Sequence, residues 1–381
     1  MSPKTRRAAL IFISFLLVIT AGLILLRIKG LGISPKINEF DRSSPSPLAS
    51  HSSLIDSEPS LIAGLPLAKP PGYRAQNFKY VSVSAGRKLW KIFSSKTLMY
   101  DPERLVHARQ ITAELFDSQG KVTLITGDEA KYYLNQFDLE VYGSVHVLLP
   151  DGFEIWSDYV FYSPEKQYLT IPRQYPVRGG GKQSSERTLL EFKSQGLEYL
   201  IQKGLISLLD HSEITFLRDH PQSQEPERSS KTWIESDQSV INRKTQSVEF
   251  KMDEARTLKD RFVYITQPSL LTRARQVRLN YGHTQSLVNY LVALEDVLIT
   301  EITPAGKTPL LRYATAGRAE FNAQSDSISL SEFPQLYENG DTMVGDRIVL
   351  HRDSDRVEIS NSNAFSEGAR RRNSMETRAG K

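Results

Sequence analysis

The sequence predicts an all-β body behind one N-terminal membrane-spanning helix. Three observations carry this. Ala8 to Leu26 is an uninterrupted uncharged apolar run. From Leu89 onward, β-branched and aromatic residues alternate with polar ones at period 2. A strand-and-turn pattern met near residue 130 then returns near residue 319, as stacked hairpins sharing one core would give.

The apolar run, AALIFISFLLVITAGLILL, follows Lys4, Arg6 and Arg7. As a helix rising 1.5 Å per residue it would be roughly 28 Å long, enough to cross a hydrocarbon core. A cleaved signal peptide would end its shorter apolar stretch at a small-x-small site. Here the run passes Ala21-Gly22 and continues through Leu23-Ile24-Leu25-Leu26, which reads as an uncleaved anchor. Arg27 and Lys29 follow it, but the short basic N-terminus favours an N-in orientation, with roughly 350 residues outside the cytoplasm. Residues 1–29 are thus assigned to a cytoplasmic tip and anchor. Residues 30–72, with SSPSPLASHSSLIDSEPS at their centre, form a Ser/Pro-rich tether that as a coil would span about 35 Å on average.

The body begins at residue 73. Val122, Leu124 and Thr126 alternate, as do Ala130, Tyr132 and Leu134. Leu139, Val141, Gly143, Val145, Val147 and Leu149 form a longer series, and Phe153, Ile155, Ser157, Tyr159 and Phe161 extend it. Turn signals fall between the runs, among them Asp151-Gly152, a strong hairpin marker. No long amphipathic helix is expected, and residues 254–262 could make one short helical turn at most. The repeat pairs Asp128-Glu129-Ala130-Lys131-Tyr132 with Ala316-Gly317-Arg318-Ala319-Glu320-Phe321, Asp151-Gly152 with Asn339-Gly340, and Ser157-Asp158 with Gly345-Asp346. In both copies the turn glycine precedes the aspartate by six residues. A soft boundary at 221–230 separates a first β domain (73–220) from a second (231–365), and 366–381 is a basic tail containing Arg370-Arg371-Arg372.

Composition narrows the function. With 39% hydrophobic and 24% charged residues, the 381-residue chain suits a globular body. A net charge of only +4, with acids and bases interleaved, is not a nucleic-acid signature. The absence of cysteine excludes disulfides, thiolate metal sites and thiol nucleophiles. Gly179-Gly180-Gly181-Lys182 is followed by Gln183, where a phosphate loop needs Ser or Thr, so it reads as a loop between strands. The seven histidines show no ligand spacing, and Asp128, Asp158 and Asp346 sit beside turns, where Asp is favoured structurally. The chain reads as non-enzymatic, with no cofactor and no metal.

The ordered motifs Ala130-Lys131-Tyr132, Leu139-Glu140-Val141-Tyr142-Gly143-Ser144-Val145-His146-Val147, Asp151-Gly152 and Ser157-Asp158, behind an anchor and tether, resemble the periplasmic lipopolysaccharide-transport family LptC. Lys193 to Tyr199 followed by Ile206-Ser207-Leu208 is similar to that family's closing strands, with the single Gly196 where Gly-x-Gly is common. Phe333-Pro334-Gln335-Leu336, Gly340 to Ile348 and Val357-Glu358-Ile359 resemble the related LptA/OstA repeat, so the chain reads as an extended version. The resemblance implies a half-open antiparallel β-jellyroll of OstA-like repeats, elongated, with an apolar groove between two sheets. Alternation puts Ala130, Tyr132, Val141, Val145, Val147, Ile155, Tyr159 and Phe161 on one side and Lys131, Glu140, His146 and Glu154 on the other. In a closed sandwich the first set would be plain core; under the resemblance it lines a lipid groove. Gly143, Gly152, Gly196, Gly340 and Gly345 are expected to be turn or motif positions. The implied partners are lipopolysaccharide or a related glycolipid, an inner-membrane ABC transporter, and a periplasmic β-roll bridge protein joined by edge-to-edge strand pairing. The implied location is the inner membrane, single-pass, with the bulk in the periplasm. The alternative is an anchored structural or adhesive β-repeat protein with a closed core that binds a protein partner.

Overall fold

The computed structural model describes residues 71–366, apart from 85, 102, 118, 185–186, 218–230, 254–260, 283–287, 302–311, 339 and 353–355. The expected anchor, most of the tether, the 221–230 boundary, the short helical turn up to residue 260 and the tail beyond Ser366 lie outside the described residues. Among the described residues no helix is long and apolar enough to cross a membrane. Two compact units are distinguished, and nearly all described strands belong to the one formed by Ser60–Val83 and Lys88–Lys381.

That unit is all antiparallel β. Its first eight strands are β1 (Tyr73–Ser84), β2 (Arg87–Tyr100), β3 (Leu105–Phe116), β4 (Val122–Tyr133), β5 (Leu139–Leu148), β6 (Glu154–Ser163), β7 (Tyr168–Ser184) and β8 (Arg187–Leu200). Shorter strands follow: β9 (Leu205–Leu208), β10 (Ser212–Leu217), β11 (Lys231–Ser236), β12 (Gln238–Asn242), β13 (Ser247–Lys251), β14 (Val263–Thr266), β15 (Leu270–Ala274) and β16 (Gln276–Tyr281). Two long strands, β17 (Val288–Glu301) and β18 (Arg312–Asn322), come next. The last are β19 (Ser327–Ser331), β20 (Gln335–Glu338), β21 (Asp341–Val344), β22 (Arg347–His351), β23 (Val357–Ser360) and β24 (Asn363–Ser366).

All 24 strands hydrogen-bond into one sheet, folded into two layers along a line of corners. The pairing around β8 shows how. Its N-terminal half, Leu190–Lys193, pairs with β10, and its C-terminal half, Leu197–Leu200, pairs with β9. One layer then continues β9–β12–β13–β16 and the other β10–β11–β14–β15. They meet again on β17, whose first half pairs with β16 and second half with β15. β18 divides likewise between β19 and β20, and the layers end on β22–β23 and β21–β24. We call the layer containing β9 layer A and the layer containing β10 layer B.

The corners have a local cause. Gly143 and Ser144 of β5, both at positive φ (72° and 46°), stand opposite the single Asp158 of β6. Glu295 and Asp296 of β17, at 62° and 50°, stand opposite Gly317 of β18. Glu332 and Phe333, both at 61°, make the break between β19 and β20. An extra residue opposite one partner is a β-bulge, which bends the strand and sharpens its twist. The repeat seen in the sequence is therefore a structural one. β4 and β18 occupy equivalent places, as do β5 and the pair β19/β20, and Asp128, Asp158 and Asp346 all sit at corners.

The apolar interior between the layers is continuous from Trp90 to Ile348. The Gly179–Gly181 segment is a correction: it lies inside β7 and not in a loop. A Cβ on Gly179 would strike Phe192 and the Glu154 carbonyl, and one on Gly181 would come within 2.9 Å of the Phe153 ring. Glycine is required there by close approach of the buried Phe153 and Phe192, whose rings stack at 5.8 Å.

Candidate functional site

The site expected from sequence is the interlayer face of β4, β5 and β6. Ala130, Val141, Val147 and Ile155 are fully buried in the interior, with Val145 and Tyr132 nearly so. Tyr159 and Phe161 do not join them. They alternate with the buried Val160 and Tyr162, so they lie on the opposite face of β6. The cause is the corner: β6 turns it on the single residue Asp158, so Ser157 and Val160 both face inward and the alternation reverses beyond it. Tyr159 instead contacts Tyr142 and Tyr175, each at 5.0 Å between ring centroids.

The glycines divide by role. Gly143 is a corner residue, Gly152 (φ 79°) and Gly340 (φ 94°) close hairpins, and Gly196 (φ 79°) bends β8 where it changes layer. Gly345 has no such φ; a Cβ there would come within 2.6 Å of the Ser360 carbonyl.

A cavity of about 50 Å³ lies in the interior between β1 and β5. Ala108 and Ala130 face each other in register across β3 and β4, and their missing side-chain volume makes room beside Phe78, Tyr80, Met99 and Leu134. Tyr132 stands in its wall, 4.7 Å from Trp90 and 6.0 Å from Tyr80 between ring centroids. Burial, with the Tyr80 phenol beside it, drives the Tyr132 hydroxyl far above the ordinary tyrosine range, so it stays neutral. Burial also raises Tyr162 and Tyr199 to about 12. The inner surface is thus uncharged along this stretch.

Sequence reasoning missed two polar features. His107 and Glu129 form a buried pair, Nε2 to Oε2 2.9 Å, on neighbouring strands β3 and β4 near the corner. Burial lowers the His107 pKa in spite of Glu129. Arg243, in the β12–β13 turn, reaches Asp151 in the β5–β6 turn and donates to the Tyr199 hydroxyl at 2.8 Å. No periodicity could find either, because their partners are distant in sequence. Among the described residues no group of histidines and carboxylates could hold a metal ion.

Two sheet layers around an apolar interior are what the resemblance implied for this part of the chain. The family model for LptC, described as lipopolysaccharide-assembly, LptC-related, matches residues 65–216. Over this segment the chain is similar to the LptC-related family. Its match ends within β10, and the sheet continues directly into β11 and β12 beyond it. No curated protein matches the chain. Among solved structures, it is similar to that of LptH, the LptA-homologous periplasmic component of the lipopolysaccharide transport device of Pseudomonas aeruginosa. That likeness has 13% identity and a TM-score of 0.30, and covers 35% of this chain and 93% of that one.

Proposed function

We propose that this chain is a non-enzymatic lipopolysaccharide transport subunit, held by its N-terminal helix in the inner membrane with its β body in the periplasm. It would receive lipid from an ABC transporter and pass it between the two layers toward the outer membrane. The observation that carries the reading is continuity. The apolar interior of the LptC-related segment runs without a break into the strands beyond it. Each methylene moved out of water contributes about 0.8 kcal/mol, so an acyl chain would pass between contiguous apolar surfaces rather than escape into water. Among the described residues, β1 pairs only with β2, while β23 and β24 each pair with one neighbour. Such edges suit strand addition by a neighbouring β-roll. Because β11 and β12 already cover β10 and β9, the edge left for a bridge protein would be β23 and β24.

One observation favours the second reading, an anchored structural protein with a closed core: the cavity is far too small for an acyl chain. A cavity of about 50 Å³ holds one or two water-sized groups at roughly 30 Å³ each. Carriage therefore requires the layers to part. Photo-crosslinking in cells separates the readings, with a photoreactive residue at Tyr132 and, as control, at Lys131 on the opposite face. A lipopolysaccharide adduct at Tyr132 alone is expected. Adducts at neither position, in folded and anchored protein, would favour the closed structural protein.

A further inference from the structure

Away from the corners, the layers end in two rows of hairpin turns, and among the described residues no strand pairing joins the rows. Two arginines cross this rim, from equivalent places. Arg243 directly follows β12, and its amide donates to the Gly204 carbonyl at 3.0 Å; Arg352 directly follows β22, and its amide donates to the Asp326 carbonyl at 3.0 Å. Each belongs to a layer A turn and reaches a layer B turn. Arg243 meets Asp151, and Arg352 donates to the Ser269 hydroxyl at 3.3 Å. Each also covers an aromatic ring of the body, Phe153 at 5.2 Å and Phe321 at 5.6 Å.

The Arg243 bridge is lopsided. Its side chain is only 13% exposed, held by the Tyr199 hydroxyl and by the rings of Phe153 and Tyr199, whereas Asp151 is 56% exposed on a turn. The guanidinium is the fixed, built member; the carboxylate, which also accepts from the Phe153 amide at 3.3 Å, stands exposed and can exchange Arg243 for water. A guanidinium this buried needs an anion, but nothing requires that the anion be Asp151. Its planar fork suits a phosphate as well as a carboxylate. Directly behind it lie Phe153 and Phe192, the start of the apolar interior.

We propose that Arg243 is a phosphate-anchoring site at the rim, where the phosphate of an amphiphile replaces Asp151 while its apolar chains enter behind Phe153. Arg352, paired with Asp326 of its own layer at 3.5 Å and with a neutral hydroxyl across the rim, is the equivalent position further along. The proposal rests on the carrier reading and adds to it the chemistry that recognises the head group and releases the closed rim. Exchange of partners opens the bridge without leaving the arginine uncompensated.

The test uses the full chain in amphipol. Its probes are lipid A with its phosphates and the same lipid stripped of them, so that the acyl chains are identical. The wild type is expected to favour the phosphorylated lipid by about tenfold, the scale of one charge-assisted pair. Arg243→Gln should abolish that preference while binding the stripped lipid as the wild type does. Asp151→Asn, on an exposed turn and keeping the oxygen that accepts from the Phe153 amide at 3.3 Å, should strengthen binding of the phosphorylated lipid severalfold. Unchanged preference in both variants overturns the proposal and leaves the carrier reading standing. Failure of the folded wild type to bind either lipid removes the carrier reading too. Inorganic phosphate, added as competitor, should not displace the lipid; displacement would mean a free-anion site and would overturn the proposal.

Discussion

The strands from β2 to β8 and those from β9 to β24 build the same two-layer body by different means. In the first region every strand runs through the corner unbroken, and the interior is filled by Trp90, Tyr132, Tyr162, Phe192 and Tyr199. In the second, only β17 and β18 cross; the other strands are four to six residues long, and the chain itself breaks at each corner. The interior there keeps two fully buried rings, Phe216 and Phe250, near its start, and from β15 on it relies on Ala274, Ala293, Ala314, Ala316 and Ala319 among branched residues. A corner can therefore be a bulge in a continuous strand or a short link between two strands, with the same alternation on either side. The difference is what each region cannot tolerate. Space filled by large rings is vulnerable to loss of volume, whereas alanines in register are vulnerable to gain.

The largest expected effect is on the first region. Phe192→Ala removes a fully buried ring that is stacked on Phe153 and seated against Gly179. Buried aromatic truncations cost about 3–5 kcal/mol, and denaturant unfolding should read a loss of that order. A loss under about 1 kcal/mol would mean the ring is not part of a close-packed interior, and the comparison would break. Next is Ala319→Leu. Ala319 is buried, in register with Ala293 on one side and Leu330 on the other. Overpacking there should cost about 1–3 kcal/mol. Full tolerance of leucine would show spare room between the layers in the second region, sharpening the case for a passage there.

These two sites also show what could be read from the chain. The strand series through Ala130, Val141, Val145 and Val147 was legible because alternation is local, and β5 keeps its parity when two residues, Gly143 and Ser144, are inserted at its corner. The repeat was legible because Gly152 and Gly340 close equivalent hairpins. Tyr159 and Phe161 were misplaced because β6 turns the corner on the single Asp158, which reverses parity, and with no glycine on β6 itself nothing in its alternation marks the turn. Gly179 to Gly181 looked like a loop because glycine disfavours strands on average. What selects it here is Phe192, on the next strand, and Phe153, just before the preceding one. Arg243 and Asp151 lie 92 positions apart, beyond the reach of any periodic pattern.

The smallest expected effect belongs to a polar feature of the first region. His107 and Glu129 are buried together, with Arg109 3.9 Å from the same carboxylate and Lys131 the residue paired with His107 across the strands. Burial lowers the His107 pKa most; Glu129 opposes this, and Arg109 and Lys131 add to it. The folded protein therefore holds a neutral imidazole at a pH where the unfolded chain, with a pKa near 6.5, has begun to bind a proton. The unfolded state then carries more protons, so stability should be complete above about pH 6.5 and fall as the pH drops toward the lower, folded-state pKa. Stability measured at steps from pH 8 to pH 5 should show this decline in the wild type and a shallower one in His107→Gln, which cannot titrate. If the imidazole were instead charged in the fold, held by Glu129, the wild type would gain stability on acidification and the two slopes would exchange order. The direction of that difference decides whether the pair near this corner is an ion pair or a neutral hydrogen bond.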